Sequence, residues 1–167
     1  NPAVRINFAG CIGHLMRTAK DSSREKLFTK LKTWYMERDD EASRAAVAFT
    51  FQAVSRHNPD VMKSFASFAM PIAFLAMHEE KNENNTEVLE VWEEVWGEGT
   101  PGSEGGVRLF LKEILELLPT ALSSSQWGVK AQAARALGTV SRKLGANISR
   151  ETQASIIQLL LAGLEGR

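Results

Sequence analysis

The sequence predicts an all-α protein built as an α-solenoid, in which pairs of helices stack along one continuous core. Apolar residues recur at the three- and four-residue spacing of one helical face through most of the chain, and no stretch alternates as a strand would. The pattern that begins at Val129-Lys130 also begins at Val4-Arg5, 125 residues earlier, and a weaker copy begins at Ser43-Arg44, 39 residues after Val4. A period near 40 residues in a helical chain is typical of helical solenoids.

The composition is that of a chain long enough to bury a sizeable core, with balanced charge. The 167 residues include 20 Lys and Arg and 20 Asp and Glu. The net charge is therefore zero, which does not favour a general affinity for nucleic acid or membranes. One cysteine cannot form an internal disulfide, and this fits a reducing compartment. The longest apolar run, residues 65–77, is too short and too interrupted to span a bilayer.

The first helix is predicted from Asn1-Pro2, because asparagine can cap a first turn and proline lacks an N–H group that would be unpaired there. We expect it to run to about Ala19. Cys11 falls on its apolar stripe, so we expect this thiol to pack in the core rather than to react. The predicted buried stripe is Val4, Phe8, Cys11, Ile12 and Leu15.

The next two helices form the first complete pair. Ser22 and Glu25 have the spacing of a capping box, which predicts a helix to about Met36. After a charged turn, the third helix is predicted from about Ala42 to His57. The predicted buried faces are Leu27, Phe28, Leu31, Trp34 and Tyr35 on the second helix and Ala45, Val47, Ala48, Phe51 and Val54 on the third.

Asn58-Pro59 repeats the start signal and predicts a fourth helix to about Met77, kinked at Pro71. Pro119 lies equally late in the helix predicted from about Val107 to Leu122. Kinked first helices followed by straight second helices that begin with Val-Arg or Val-Lys resemble HEAT repeats. The sequence therefore predicts a HEAT-like solenoid of about three to four helical hairpins.

An acidic segment, residues 78–106, breaks this rhythm. It holds nine Glu and one basic residue, so we interpret it as an insertion between two sets of repeats, residues 1–77 and 107–167. Its first part is polar and is expected to be a mobile loop. A short helix capped by Thr86 is expected from Glu87 to Trp96, followed by a glycine-rich connector over residues 97–106. Val88, Val91, Trp92 and Val95 are expected to face the core.

The last two helices return to the repeat pattern. One is predicted from Trp127 to Leu144, with Gly145 as its C-terminal cap, and one from about Ser149 to Leu164. The chain begins within a repeat, without Met, and stops as a helix finishes, so we expect it to be a piece of one longer array. The predicted buried residues are Val129, Ala133, Ala136, Leu137 and Val140, then Ile156, Ile157, Leu160 and Leu161.

The catalytic and ligand-binding patterns in the sequence are incomplete. The glycines of residues 97–106 have Walker spacing from Gly97, but Ser103 and Glu104 stand where Lys and Ser or Thr are required. His78-Glu79 begins a zinc-protease motif whose second histidine is missing, and Cys11 with His14 is half a metal site at most. We therefore predict a protein that is not an enzyme and has no catalytic residues, cofactor or metal.

Two charged clusters are the candidate partner-binding sites. Glu90, Glu93 and Glu94 of the acidic segment are predicted to dock or steer a protein partner. Basic residues from Arg17 to Lys32 form the second cluster; a solvated face is the favoured interpretation, and docking of an acidic protein is a less favoured one. Nucleic-acid binding by the Arg17–Lys32 cluster is the alternative function. The candidate residues of the basic cluster are Arg17, Lys20 and Arg24.

Five residues are expected to be structural. Trp92 and Trp96 lie four apart on one helical face, which favours core packing over an exposed protein-binding anchor. Pro71, Trp127 and Leu137 complete the set.

Six collinear blocks resemble the family of large proteasome adaptor and scaffold proteins and span nearly the whole chain. They are WYME (34–37), SRHNPDV (55–61), MPIAFLAMHE (70–79), WEEVW (92–96), PGSEGGVRL (101–109) and WGVKAQ (127–132). The resemblance implies a very long HEAT-repeat solenoid, of which this chain is a fragment from the C-terminal half. It also implies a non-enzymatic scaffold that bridges the proteasome core and regulatory particles, takes part in proteasome quality control and has proteasome subunits as partners. We expect a cytoplasmic location, with the nucleus as a second candidate.

Overall fold

The structure, a computed structural model, describes residues 1–165, apart from the side chains of residues 103 and 146. The described residues form α-helices joined by short turns, and no strand occurs among them. The elements are α1 (Pro2–Leu15), α2 (Asp21–Glu37), α3 (Glu41–His57), α4 (Pro59–Ser64), α5 (Ala66–Ala76), α6 (Thr86–Gly99), α7 (Ser103–Leu109), α8 (Leu111–Leu122), α9 (Trp127–Leu144), a 3-10 turn (Gly145–Asn147) and α10 (Arg150–Glu165). The all-α HEAT-like prediction is confirmed.

The helices stack in two layers around one continuous core. In one layer α2 packs on α5, α5 on α8 and α8 on α10; in the other α1 packs on α3 and α3 on α6. Helix α9 packs against α5, α7 and α8. A single cluster of buried apolar side chains runs from Met16 to Ile156 and so joins all the hairpins. Each hairpin therefore depends on its neighbours to bury its apolar face.

Aromatic rings connect the two layers in the middle of the array. The Phe28 ring stacks on Phe51 and Phe65, with ring centroids 5.6 and 4.7 Å apart. The Trp92 indole meets the Phe51 and Tyr35 rings edge-on at 5.5 and 5.7 Å. Edge-to-face and offset pairs at these distances stabilise a core beyond their buried area. Helix α6, which the sequence marks as an insertion, is therefore anchored in the centre of the core.

The predicted buried stripe of α1 is wrong. Phe8 is 68% exposed, Val4, Leu15 and Cys11 are exposed as well, and Ile12 is only partly buried. The face on α3 consists instead of small residues, Ala9 and Gly13, followed by Met16. A Cβ atom on Gly13 would lie 2.9 Å from the Ala53 carbonyl oxygen, so the two helix backbones approach too closely for a large side chain between them.

Three further expectations for the helices are corrected. Helix α2 begins at Asp21 with Lys20 at the cap position, so Ser22 and Glu25 lie inside the helix and form no capping box. The helix predicted from Asn58-Pro59 to Met77 is divided at Phe65 into α4 and α5, and the helix predicted from Val107 is divided at Phe110 into α7 and α8. Pro71 and Pro119 lie inside α5 and α8. On α10 only Ile156 of the predicted face is buried; the exposed remainder is Ile157, Leu160 and Leu161.

The acidic segment is more regular than its composition predicts. Helix α6 extends to Gly99 and α7 begins at Ser103, so only residues 100–102 form the connector. Gly106 serves close packing, because a Cβ atom there would lie 2.7 Å from the Trp96 ring. The loop expected to be mobile is held by hydrogen bonds: the side chain of Asn82 accepts from the backbone N–H of Asn85, and that of Asn85 accepts from the N–H of Asn82.

Candidate functional site

An exposed row of four carboxylates follows one face of α6 and the turn before it. We call it the acidic row. The spacing of three and four residues places its members on one side of the helix, while Val91, Trp92 and Val95 are buried on the other side. None of the ion pairs formed among residues 1–165 involves these carboxylates. The acidic row comprises Glu83, Glu87, Glu90 and Glu93.

Glu94, the third member of the predicted acidic site, faces inward to α3. Its carboxylate accepts hydrogen bonds from Nε and Nη2 of Arg56 at 2.6 and 2.8 Å and from the Gln52 amide at 2.6 Å. The hydrogen bonds from Arg56, aided by the one from Gln52, hold the pKa of Glu94 below its usual range against the opposing effect of burial. The structure thus separates the predicted trio, with Glu90 and Glu93 at the surface and Glu94 fastening α6 to α3.

The basic candidates divide in the same way. Arg17 and Lys20 lie exposed in the turn between α1 and α2, and neither is in an ion pair within the described chain. Arg24 donates from Nε to the carbonyl of Met16 and from Nη2 to the carbonyl of Arg17, at 3.0 and 3.2 Å, and pairs with Asp21 at 2.9 Å. Its guanidinium therefore fixes the α1–α2 turn as well as carrying charge.

A buried polar cluster, which the sequence analysis missed, joins α2, α3 and the loop after α5. The buried Arg44 guanidinium pairs with Glu79 at 3.1 Å and lies over the Tyr35 ring, 5.6 Å from its centroid. Burial, followed by the charge of Glu79, raises the pKa of the Tyr35 hydroxyl well above its usual value, although Arg44 opposes this. That hydroxyl lies 3.5 Å from Gln132 Oε1 of α9. One feature of the sequence could have indicated this cluster: Arg44 occupies the same position of the repeat pattern as Arg5 and Lys130.

His78 forms a second interior link, between α5 and α9. Its Nδ1 lies 2.7 Å from the carbonyl of Phe74 and its Nε2 lies 2.8 Å from the hydroxyl of Thr139. Burial lowers the pKa of His78, and the nearby charges of Arg135 and Arg142 add to this effect, while the Phe74 carbonyl opposes it. Arg135 also donates to the His78 carbonyl at 2.8 Å. The imidazole is thus held by structural contacts.

The predicted structural residues lie in two different environments. Pro71, Trp92, Trp96 and Leu137 are buried. Trp127 differs from the prediction, because its side chain is 80% exposed. It occupies the first position of α9, directly after the turn that ends at Gln126.

Within residues 1–165, no three His, Cys, Asp or Glu side chains lie close enough together to hold a metal ion. Among the same residues, no helix has the length and apolar character needed to cross a bilayer. The described surface carries carboxylates outside any ion pair at the acidic row and cations outside any ion pair at Arg17 and Lys20.

Comparison with known proteins gives matches along the whole chain. A family model described as the HEAT-repeat domain of proteasome adapter and scaffold protein ECM29 matches residues 1–36. The chain is 40% identical over 169 residues to "Proteasome adapter and scaffold protein ECM29" of Homo sapiens and 36% identical over 167 residues to "Proteasome-associated protein ECM29 homolog" of Drosophila melanogaster. It is 23% identical over 168 residues to "Proteasome component ECM29" of Saccharomyces cerevisiae.

Each of these matches covers 100% of this chain and 9% of the relative. The chain therefore spans 9% of the length of these curated relatives. No solved structure matches it.

Proposed function

Because the chain belongs to the family of ECM29 proteasome adapter and scaffold proteins, we propose that it is a section of a non-enzymatic scaffold that contributes to the binding of proteasome subunits. The observation that carries the proposal is the match over the entire chain to proteins named as proteasome adapters and scaffolds. Nothing in the comparisons supports the nucleic-acid alternative.

The architecture supports a scaffold role. The core is continuous across the hairpins, and hydrogen bonds and ion pairs tie helices that are distant in sequence, such as Arg56 to Glu94 and His78 to Thr139. A rigid array of this kind keeps surface groups at fixed separations, which is what a protein that bridges two partners requires. We also propose that the intact protein works in the cytoplasm, with the nucleus as a second location.

The terminal apolar faces fit an internal section of a longer array. Helix α1 presents Phe8 and Leu15 to solvent, and α10 presents Leu160 and Leu164. Leaving such rows of apolar side chains in contact with water costs free energy. Since the relatives are many times longer than this chain, we propose that neighbouring helices of the intact protein cover both faces.

We assign the partner contact of this section to the acidic row. Its carboxylates lie together on one exposed face and have no cation within ion-pair distance in the described chain. Such a surface attracts a basic partner and accelerates association at low salt. Glu94 is excluded from the assignment because its carboxylate is occupied by Arg56 and Gln52.

The test is an affinity purification from cell lysate with quantitative mass spectrometry. Wild-type chain is compared with Glu90→Lys/Glu93→Lys and with Glu151→Lys/Glu165→Lys, a control pair that makes the same charge change at exposed positions on α10. We expect wild type and control to enrich proteasome subunits and the Glu90/Glu93 variant to lose most of that enrichment. Equal enrichment by all three would move the contact away from the acidic row, and enrichment of other proteins in place of proteasome subunits would contradict the proposed function.

A further inference from the structure

A cleft opens at the end of the array where the α1–α2 turn faces the α3–α4 corner. Its volume is ≈ 380 Å³. The corner is fixed, because the buried Asn58 side chain donates a hydrogen bond to the carbonyl of Gly13. The imidazoles of His14 and His57 lie beside it, with centroids 4.1 Å apart and ring planes tilted by 32°. We call it the basic cleft; its polar lining is Arg17, Arg24, His57, Asn58, Asp60 and Ser64.

Arg24 enters the basic cleft as a pre-positioned donor. Three of its N–H groups are used by the carbonyls of Met16 and Arg17 and by Asp21. A guanidinium has five N–H groups, so two remain, one on each terminal nitrogen. These contacts hold the guanidinium plane in place, and little side-chain entropy is lost when a ligand binds to it.

Arg17 is the second cation of the basic cleft. Its side chain is exposed and forms no ion pair among residues 1–165, and Lys20 is exposed in the same turn. Asp21 is already paired with Arg24, which leaves Asp60 as the carboxylate that opposes them within the lining. Arg17, Lys20 and Arg24 thus exceed Asp21 and Asp60 by one charge, so the cleft carries a small net positive charge, with Asp60 as the negative group of its lining.

We propose that the basic cleft binds carboxylate side chains of an acidic segment in a partner protein. The two remaining N–H groups of Arg24 can donate to a carboxylate, while Arg17 adds a second cation that reaches over it. One carboxylate neutralises this small positive charge, whereas a phosphate group, with a charge of about −1.5 to −2, would leave an excess of negative charge beside Asp60. The lining contains no Phe, Tyr or Trp ring on which a nucleobase could stack; its one aromatic ring is that of His57, which lies tilted against His14.

The test titrates the chain with an acetylated and amidated peptide that contains two adjacent glutamates, using its glutamine counterpart as the neutral control. Binding is followed by NMR at the Arg24 side-chain Nε–H and at the backbone amide of Val61, which line the cleft. We expect saturable shifts of these signals with the glutamate peptide alone. Equal shifts with both peptides, or shifts confined to other parts of the chain, would overturn the proposal.

Two variants give effects of opposite sign. Arg17→Ala should weaken binding by roughly fivefold, which is the size of a partly exposed charge pair, and Asp60→Asn should strengthen it by a similar factor. Lys112→Ala, at an exposed position on α8, should change nothing. Thermal melts of each variant establish that the fold is retained. Unchanged affinity in both Arg17→Ala and Asp60→Asn would overturn the assignment.

Two further measurements test whether the cleft binds phosphate or a second copy of the chain instead of a partner segment. Inorganic phosphate that binds as tightly as the peptide and moves the same signals would overturn the preference for carboxylates. If sedimentation showed a dimer of the chain that is lost in Arg17→Ala, the occupant of the cleft would be the acidic row of a second copy, and the proposal of a partner segment would be overturned. None of these measurements uses proteasomes, so their outcome is independent of the proposed function.

Discussion

Two glycines on α1 provide a sharp test of how closely this helix approaches α3. A Cβ atom on Gly13 would lie 2.9 Å from the Ala53 carbonyl oxygen and 3.0 Å from its carbonyl carbon. A Cβ atom on Gly10 would meet nothing within 4 Å. Both glycines lie within the same helix, so replacing either by alanine gives the same gain in helix propensity, about 1 kcal/mol.

The two substitutions should therefore have different effects on stability. Gly10→Ala should raise the free energy of unfolding by about 0.5–1 kcal/mol. At Gly13 the new methyl group meets backbone atoms, which cannot rotate away, and overpacking of this kind costs about 1–3 kcal/mol. Because the propensity gain cancels between the two variants, Gly13→Ala should be less stable than Gly10→Ala by about 1–3 kcal/mol.

Urea denaturation measures this difference from the midpoints, provided that the slope m is unchanged. In a thermal melt the two variants should differ by about 2–4 °C for each kcal/mol. If Gly13→Ala were as stabilising as Gly10→Ala, the close approach of α1 to α3 would be refuted, and with it the reason why Phe8 and Leu15 face solvent.

Leu137→Ala should lower the free energy of unfolding by about 2–5 kcal/mol, because this side chain is fully buried on α9; an unchanged melting temperature would mean that the register of α9 is wrong. Glu94→Gln should destabilise the chain near neutral pH, while Glu93→Gln should have little effect; the Glu94 side chain is 29% exposed, so we expect the loss to be about 1 kcal/mol or less in a urea titration. The lowered pKa of Glu94 also means that its contribution is present above the ordinary glutamate pKa of 4.5 and is lost as the pH falls below it, so the wild type and Glu94→Gln should converge in acid. His78 has a lowered pKa, so the unfolded chain binds its proton first and stability should decrease as the pH falls through 6.5; His78→Gln should flatten this decrease, and an unchanged pH profile would contradict the burial of the imidazole.

The sequence predicts the helices well where each has a full set of neighbours. The bounds of α9, its cap at Gly145 and its buried residues agree with the structure, because α9 packs on other helices and its apolar spacing reports that contact directly. The same reasoning gives the buried face of α3 and, on α2, the buried residues Phe28, Leu31 and Tyr35, whereas Leu27 and Trp34 are only partly buried.

The apolar periodicity of the sequence does not predict the buried faces of α1 and α10 correctly, and the reason is physical. Both helices carry more apolar residues than the described neighbours can cover, so the largest side chains do not mark the face that is packed. On α1 the contact with α3 is made by Ala9 and Gly13, which a search for large apolar residues passes over. The large apolar residues of these helices, such as Phe8, therefore mark a face that is exposed in this chain.

The candidate acidic site could be predicted only in part. Composition identifies the excess of Glu in residues 78–106, but adjacent residues on a helix point in different directions, and the sequence alone does not give the position of α6 relative to α3. For that reason Glu93 and Glu94 could not be separated until Arg56 was located beside Glu94. The Arg44–Glu79 pair was missed because its members are far apart in sequence and because Glu79 lies in the part of the acidic segment that was expected to be mobile.

The central claim is that this section of the scaffold contacts the proteasome, and direct binding to purified proteasomes tests it most directly. With the chain immobilised on a biolayer sensor, we expect saturable binding that weakens as salt is raised, since charged surfaces are screened. The same experiment with Glu90→Lys/Glu93→Lys should give a slower association rate. Absence of binding by the wild-type chain at low salt would contradict the claim.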